Sequence, residues 1–550
     1  MRNFTLICSL IVFILISVFI QVHPVLDKSS RYRQLANGWV SYYADLYLNN
    51  KDTITSKIRQ AVNEDASQHG RFRPAFFMFT SFTYALSPII HGRFPGKENR
   101  RYNELINGDM LIMVKALIVC IVLSMVMMSW IIYRYTGYLF LSCLFFGFIP
   151  LSPTLSSNLI QNYIDSQEIF QVFTITIFLL FFLKFIRKYQ YSMTLHDLFV
   201  ISVSLSLPFY VKETSVVLFA ALLPVFLFYL IYKALLPAQK SYRFLQFFII
   251  FLISLLNSVF ILYIVKSSQH GYSSLYSFED FQRLVNALTE WYKLFSGFPL
   301  FNIFSHCIIG IAFIILWRKR WGYINEVSTE KHIIFFLFMI FLTLGFFLIF
   351  IPWDFISYKY LYPCTFFYSV LIAYSFSIAF AYCKERNVRS LGIISTFFLI
   401  AQAVIYLYNF EEARITNKDI IATANYGLKA VDKVAEDIDC FLINSSKSTI
   451  SIYLEVKPEN EQQIYWAKLQ LKRILNLDYF YNIIDSKGTI IFNRKMPDEE
   501  LSSFRYIPSR PTVYISHKFS DLDKFHFDLI YRQKSSPSKD DPVSFNLTCL

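Results

Sequence analysis

The chain has 550 residues, of which 55% are hydrophobic, and a formal net charge of +13 at pH 7. Its mean hydropathy is +0.42, and the apolar residues occur in runs too long for an ordinary soluble domain. In a soluble chain this charge would indicate nucleic-acid binding. Here most basic residues flank the apolar runs, which argues against nucleic acid and indicates orientation in a membrane.

The apolar runs predict an α-helical polytopic membrane protein. A hydrocarbon core of about 30 Å needs roughly 20 apolar residues per helix, and lipid leaves no backbone group unpaired, so each run should be helical. The sequence predicts about eleven membrane helices: 4–20, 116–133, 138–151, 169–183, 198–211, 215–232, 244–265, 300–317, 333–351, 361–382 and 391–408. The first has no small-residue cleavage site after it and is interpreted as a retained helix, not a signal peptide.

Lys and Arg in the short loops predict the orientation of these helices. With Arg2 in the cytoplasm, five successive basic loops fall on the cytoplasmic side. They contain Arg134; Arg187 and Lys188; Lys233, Lys240 and Arg243; Arg318, Lys319 and Arg320; and Lys384, Arg386 and Arg389. We therefore expect a multi-pass protein of a bacterial inner membrane, with its N-terminus in the cytoplasm and its C-terminal part outside.

One apolar segment, 75–90, does not fit as a crossing, because it would turn every later basic loop outward. It also contains Ser81, Thr83, Ser87 and Pro88. We expect it to be an amphipathic helix at the outer surface, inside a long first outer loop that covers 21–110. The transmembrane part is then 1–408.

The composition changes after residue 408. Helical spacing and alternating apolar residues predict a small extracytoplasmic α/β domain over 409–533, followed by a mostly disordered tail over 534–550. Its predicted helices are 420–438 and 461–475, and its predicted strands are 449–454, 479–484, 489–492, 512–515 and 526–530. Asp485-Ser486-Lys487-Gly488 indicates a hairpin. Cys440 and Cys549 lie outside the apolar runs, and we expect that they can pair in an oxidising compartment.

Charged residues beside membrane helices suggest function or pairing, and in this topology they gather on the outer side. They are Asp27 after the first helix, Arg71 and Arg73, Asp165 and Glu168, Lys212 and Glu213, and Lys359 next to Tyr358. A carboxylate can accept the proton of a hydroxyl group. Arg and Lys can hold a phosphate and stabilise the negative charge that develops when it leaves. Transfer of a sugar from a lipid phosphate needs both.

Each of these residues also has a simpler structural interpretation. Arg71 and Arg73 would anchor the surface helix to lipid headgroups, and Lys212 and Glu213 would pair with each other. The remaining residues would be an interfacial acid (Asp27), a charge bias at a helix N-terminus (Asp165 and Glu168) and a lysine that extends to the interface (Lys359).

The order of these features resembles the GT-C superfamily of polytopic glycosyltransferases, which includes protein O-mannosyltransferases and aminoarabinose transferases. The resemblance covers 1–408 and depends on Arg71-Phe72-Arg73-Pro74, Lys212-Glu213-Thr214 and Lys359-Tyr360, with the acid after the first helix and the outer C-terminal domain. It implies an inverting transferase that uses a polyprenyl-phosphate-linked sugar and takes its base from the first outer loop. Asp27 would then be catalytic, and Arg71, Arg73, Lys212 and Lys359 would bind the donor phosphate. Tyr358, Asp165, Glu168 and Glu213 would be further site residues.

Members of this superfamily commonly carry two adjacent acids after the first helix, whereas Lys28 follows Asp27 here. Asp45 is therefore a second candidate base in the same loop. The expected partners are the lipid-linked donor, membrane lipids and a lipid, glycan or protein acceptor. No cofactor follows from the sequence: no His/Cys cluster has zinc spacing, and assistance by a divalent metal is left open.

Three other functions remain open from the sequence. A lipid-linked polysaccharide polymerase or ligase would need similar chemistry on another fold. A transporter or flippase would more often show internal repeats and helices broken by Gly or Pro, with charges at the midplane. The third is a noncatalytic scaffold whose outer domain binds a partner.

Overall fold

The computed structural model describes the helical part of the chain in most detail, together with five strands near the C-terminus. The described residues are 53–90, 111–138, 141, 153–156, 158, 166–187, 194–235, 242–267, 281–298, 300–321, 327–350, 358–405, 407–408, 449–455, 482–485, 512–516, 529–533 and 545–549. They divide into two compact units, one that holds nearly all described residues up to 408 and one that holds the strands.

The helical unit consists of twelve main helices within the described residues. These are α1 (Ile54–His69), α2 (Pro74–Ile90), α3 (Leu111–Thr136), α4 (Gln167–Arg187), α5 (Leu195–Phe209), α6 (Val217–Leu235), α7 (Tyr242–Ser267), α8 (Phe281–Ser296), α9 (Ile303–Trp321), α10 (Val327–Leu348), α11 (Tyr362–Arg386) and α12 (Arg389–Ile405). Two short 3₁₀ helices, Glu213–Val216 and Tyr358–Leu361, precede α6 and α11. A single helical turn lies at Pro153–Ser156.

Nine of the eleven predicted membrane segments are observed as helices, namely α3 to α7 and α9 to α12. The first segment (4–20) and nearly all of the third (138–151) lie outside the described residues. Among those residues, four helical stretches are long and apolar enough to cross a membrane: Lys115–Thr136, Leu245–Ser267, Lys331–Leu348 and Tyr358–Arg386. The protein is thus an α-helical membrane protein.

The distribution of polar and apolar side chains agrees with a lipid environment. α7 exposes a series of large apolar side chains, among them Leu256 and Leu262, whereas Ser254 and Ser258 on the same helix are buried. This arrangement is the reverse of that in a water-soluble helix. Buried hydroxyl groups on membrane helices can donate to backbone carbonyls of the preceding turn, as Ser369 does to Thr365.

The central element is α11, which packs against α9 and α10 and is buried continuously from Tyr362 to Ala379. α11 continues directly from the 3₁₀ helix Tyr358–Leu361, in which Lys359 and Leu361 are buried. α6 and α10 approach closely: a Cβ atom added at Gly345 would lie 2.5 Å from Cγ1 of Val217.

α2 corresponds to the predicted surface helix at 75–90, and its polar residues Thr80, Ser81 and Thr83 are buried. Phe76 and Thr80 are buried, whereas Met78, Phe82 and Leu86, spaced four residues apart on one face, are exposed. Its buried side contacts α4, where the Phe79 and Phe170 rings stack with centroids 4.1 Å apart. The exposed face of α2 is thus apolar, and its predicted position at the outer membrane surface stays a prediction.

The second unit contains a five-stranded sheet in the order β2-β3-β1-β4-β5. Its strands are β1 (Thr449–Glu455), β2 (Asn482–Asp485), β3 (Thr512–Ser516), β4 (Leu529–Gln533) and β5 (Phe545–Cys549). The first four strands pair in parallel, and β5 pairs antiparallel with β4.

Four of the five predicted strands have an observed counterpart, and the predicted strand 489–492 lies outside the described residues. The predicted hairpin partner of β2 falls in that segment, and β2 itself pairs with β3. Within the tail, which we expect to be mostly disordered, residues 545–549 instead form β5. The predicted helices of this domain and Cys440 lie outside the described residues, so the α/β domain and the disulfide stay predictions.

Candidate functional site

The loop between α1 and α2 carries the first two predicted site residues. α1 ends with a cap at Gly70, whose φ of 64° is in the left-handed region that favours glycine. The Gly70 N–H donates to the Ala66 carbonyl, and the Arg71 N–H donates to the Asp65 carbonyl. Pro74 then begins α2 at a position where a missing N–H does no harm. Only Arg71, Phe72 and Arg73 lie between Gly70 and Pro74, so the two arginines are held in a short segment between the two helices.

Arg73 is held by an acid that the sequence analysis did not select. Its Nε donates to Oδ2 of Asp65 at 2.6 Å, and its Nη2 donates to Oδ1 at 2.6 Å. The exposed fractions of the two side chains are only 2% and 4%. Such a bidentate pair fixes the guanidinium strongly, and it connects α1 to the start of α2.

Phe72, between the two arginines, anchors the loop to α5 and α7. Its ring lies edge-on to those of Tyr210 and Phe260, with centroids 6.0 Å and 5.5 Å away. The Ala75 N–H donates to the Tyr210 carbonyl at 3.0 Å. These contacts place the arginine loop against the turn that follows α5.

That turn carries Lys212 and Glu213. Lys212 has an extended backbone and precedes the 3₁₀ helix Glu213–Val216. The 3₁₀ helix is secured by Gln171 on α4, whose Nε2 donates to the hydroxyls of Thr214 and Ser215 at 3.0 and 2.7 Å. The Ser215 hydroxyl donates in turn to the Pro208 carbonyl at 2.8 Å. The position of Lys212 is therefore set by the hydrogen bonds of Thr214 and Ser215, which follow it, and of the Pro208 carbonyl, which precedes it.

The Lys212 side chain is buried among an acid and two aromatic rings. Its Nζ donates to Oε1 of Glu168, at the start of α4. It also lies 4.8 Å from the ring centroid of Tyr360 and 5.9 Å from that of Phe350. Burial lowers the pKa of Lys212, and the charge of Lys359 lowers it further, while Glu168 and Glu213 act in the opposite direction. The aromatic faces stabilise a cation that is otherwise removed from water.

Glu213 is close to basic residues from two segments, the arginine loop and the Lys212 turn. Its burial raises the pKa of the carboxyl group, but the positive charges of Arg71, Arg73 and Lys212 outweigh this effect, so the pKa lies below its usual value. Glu213 is thus ionised at neutral pH. The arginine loop and the Lys212 turn thus both contribute positive charge around the Glu213 carboxylate.

Lys359 reaches the same region from a segment that is distant from Lys212 in the sequence. It is buried in the 3₁₀ helix Tyr358–Leu361, and its Nζ lies 4.9 Å from the centroid of the Tyr360 ring. Its carbonyl accepts a hydrogen bond of 2.9 Å from Nδ2 of Asn158. Asn158 also donates to the Thr154 carbonyl, and the Thr154 hydroxyl bonds that of Thr365 on α11.

We use the term charged cluster for Arg71, Arg73, Lys212, Lys359, Asp65, Glu168 and Glu213. Its four cations and three acids leave one net positive charge in a region where six of the seven side chains are buried. Oε2 of Glu168 is buried as well and has no hydrogen-bond partner in the described part of the protein. The arrangement favours a bound anion that also carries or approaches a hydrogen-bond donor.

The charged cluster includes every predicted phosphate-binding residue, together with Glu168 and Glu213. Tyr358 is half-exposed at the first position of the 3₁₀ helix that carries Lys359. The predicted base Asp27, its alternative Asp45 and the further candidate Asp165 lie outside the described residues, so their positions relative to the cluster stay predictions.

Sequence reasoning missed Asp65, Gln171, Asn158 and the ring of Phe350. Asp65 precedes Arg73 by eight residues. The sequence does contain a signal for this pair, namely an acid in the last turns of a helix that is followed by Gly and Arg-x-Arg. The other three contact the site only because helices distant in sequence pack together. Among the described residues, no group of three or more His, Cys, Asp or Glu side chains is arranged to hold a metal ion.

No protein-family model matches the chain, and no curated protein sequence matches it at a significant level.

Proposed function

We propose that the protein is a glycosyltransferase that moves a sugar from a polyprenyl-phosphate-linked donor to an acceptor on the extracytoplasmic side of the membrane. The observation that carries this proposal is the charged cluster, in which three segments distant in sequence contribute buried cations: the arginine loop, the Lys212 turn and the 3₁₀ helix of Lys359. A bound phosphodiester would compensate the net positive charge of this cluster.

The cations have a direct chemical use in this reaction. The bond from the sugar C1 to the phosphate oxygen breaks, and the phosphate leaves with the electron pair. The buried ammonium groups of Lys212 and Lys359 would stabilise the negative charge that develops on the leaving phosphate. The rings of Tyr360 and Phe350 keep water away from them, which strengthens the interaction.

The acceptor hydroxyl must lose its proton as its oxygen attacks C1. The resemblance assigns this step to Asp27, which would accept the proton as general base. The acids of the charged cluster are less suited to the role, since Asp65 is engaged by Arg73, Glu168 by Lys212, and Glu213 has a lowered pKa. A base from the first outer loop would complete the site.

The proposal includes the membrane orientation. Eleven crossings with a cytoplasmic N-terminus would place the charged cluster, α8 and the C-terminal domain outside the bacterial inner membrane. A reporter fused after Tyr408 should then give an extracytoplasmic signal. A reporter inserted between Arg318 and Arg320 should give a cytoplasmic signal. The opposite pair of signals would rule out an outward-facing site.

The catalytic test uses purified full-length protein in lipid nanodiscs with a set of labelled polyprenyl-phosphate sugars. Asp27→Asn should reduce transfer by roughly 10²–10⁴-fold, as expected for a lost general base, while donor binding is retained. Asp45→Asn is the matched control in the same loop. Full activity of Asp27→Asn would exclude Asp27 as the base and, if Asp45→Asn were inactive, assign the role to Asp45.

The phosphate-binding role is tested separately with Lys359→Met, which keeps the length of the side chain and removes its charge. Donor binding and turnover should both fall, because the lost interaction acts in both states. Lys331→Met, at the start of a membrane helix, is the control. If donor binds equally well to both variants and is carried across the bilayer without cleavage, the protein is a flippase and the transferase proposal is wrong.

A further inference from the structure

α8 differs from the neighbouring helices in its sequence pattern. It is a 16-residue helix in which apolar and polar residues alternate with helical spacing, between the membrane helices α7 and α9. Trp291 and Phe295 are buried on one face. The Trp291 ring lies 5.8 Å from that of Phe350, and the Phe295 ring lies 5.5 Å from that of Tyr368 on α11. These contacts attach α8 firmly to the helical unit.

The protein covers only part of the apolar face of α8. Val285, Leu288 and Tyr292 follow next to Trp291 and Phe295 around the helix, because positions three and four residues apart share a face. Their exposed fractions are 38%, 40% and 52%. The apolar side of α8 is therefore wider than the surface against which it packs.

The opposite face of α8 is polar. Asn286, Thr289, Glu290 and Lys293 are exposed there, and Nζ of Lys293 donates to Oε1 of Glu290 at 2.6 Å. A helix with one buried strip, one exposed apolar strip and one polar strip fits a boundary between protein, acyl chains and water.

The exposed apolar strip is continuous with the surface of a membrane helix. The Tyr292 ring lies edge-on to that of Phe301 with centroids 5.7 Å apart, and Ile303, which begins α9, has an exposed fraction of 67%. α9 exposes further apolar side chains along its length, including Phe313 and Ile314. Lipid that surrounds α9 would thus also contact Val285, Leu288 and Tyr292.

We propose that α8 lies in the plane of the membrane interface, with Val285, Leu288 and Tyr292 at the boundary between headgroups and acyl chains. Through Trp291 and Phe350 it also sets the depth of the charged cluster, since the Phe350 ring stacks on that of Tyr360 at 5.0 Å and faces Lys212. This places the cluster at the level of lipid phosphates. The membrane contact of α8 does not depend on any glycosyl transfer.

The test uses spin labels attached to an encoded ketone side chain, so that the native cysteines remain. Full-length protein is labelled singly at 285, 288 and 292 and, as the polar set, at 286, 289 and 293, in nanodiscs of phosphatidylethanolamine and phosphatidylglycerol. Position 256 on α7, which is exposed in a candidate membrane span, is the lipid control.

Collisions with dissolved oxygen should exceed those with a water-soluble nickel chelate at 285, 288 and 292, and the ratio should be reversed at 286, 289 and 293. The depth calculated for 288 should be shallower than that for 256. Low access of both reagents to 285, 288 and 292 would show that protein covers this face, and high nickel access would show that water does. Either result would overturn the proposal.

Discussion

Two polar networks in the described part of the helical unit differ in how completely their hydrogen-bonding groups and charges are paired. The charged cluster has one net positive charge and a carboxylate oxygen without a donor among the described residues. The second network, which we call the amide cluster, consists of Asn302, Ser305 and Gln402 and is neutral. The difference separates a region that can take a ligand from one that holds helices together.

In the amide cluster each polar group is used within the protein. Nδ2 of Asn302 donates to Oε1 of Gln402 at 2.8 Å, and Nε2 of Gln402 donates to Oδ1 of Asn302 at 3.1 Å and to the Ser305 hydroxyl. Oδ1 of Asn302 also accepts from the N–H groups of Phe304 and Ser305 and caps α9. Such a network fixes α12 to α9 and leaves no group for a ligand.

The largest expected effect comes from breaking the charged cluster at Asp65. Asp65→Ala would leave the Arg73 guanidinium buried without its bidentate carboxylate, which should cost about 3–5 kcal/mol of unfolding free energy. Unfolding is measured by titration of mixed micelles with SDS. The matched control is Glu290→Ala in the exposed pair with Lys293, for which we expect about 0–1 kcal/mol. Equal losses in the two variants would contradict the difference in burial.

A smaller effect is expected at the close approach of α6 and α10. Gly345→Ala places a methyl group 2.5 Å from Val217 and should cost about 1–3 kcal/mol. It should also weaken donor binding, because α6 begins directly after the Lys212 turn. Gly310→Ala is the control, since a Cβ there meets nothing within 4 Å.

The same packing argument predicts a rescue. Combined Gly345→Ala and Val217→Ala should recover most of the stability lost in the single Gly345→Ala variant, because the clashing methyl groups are removed. An additive loss in the double variant would show that the two side chains do not share this space.

Mutation of the amide cluster should reduce the free energy of unfolding less than mutation of Asp65 in the charged cluster. Gln402→Ala should cost roughly 0.6–1.7 kcal/mol, which runs from the average to the largest value for hydrogen bonds between membrane helices, without a change in donor affinity. Equilibrium binding of the labelled donor is measured beside the SDS titration. A loss of donor binding comparable to that of Lys359→Met would mean that the amide cluster also belongs to the functional site.

The smallest effect is a pH dependence that distinguishes the two clusters. Below its lowered pKa, Lys212 is charged and would attract the phosphate of the proposed donor, and above that pKa it is neutral. Donor affinity should therefore fall as the pH rises through the pKa of Lys212, by at most about tenfold per pH unit. Lys212→Arg, which stays charged, should flatten this dependence if it still binds donor, whereas Gln402→Ala should leave it unchanged. An identical profile for wild type and Lys212→Arg would assign the pH dependence to another group.

The membrane helices could be predicted well because their signal is local. α7 and α11 coincide with predicted apolar runs, since the hydrocarbon core requires a run of suitable length and pairs every backbone group within the helix. The short run 198–211 was harder to delimit: α5 begins at Leu195 and ends at Phe209, because its N-cap Thr194 and the hydrogen bonds of the following turn define its ends.

Sequence alone determined the membrane class, the positions of nine helices and the candidate residues Arg71, Arg73, Lys212 and Lys359, because hydrophobicity and charge are properties of single segments. Only the tertiary structure decided that Asp65 holds Arg73, that Glu168 holds Lys212 and that Phe350 and Tyr360 enclose the lysine. These pairings depend on how α1, α4, α10 and α11 pack, and the free energy of burying a charge is decided by neighbours that a one-dimensional pattern does not contain.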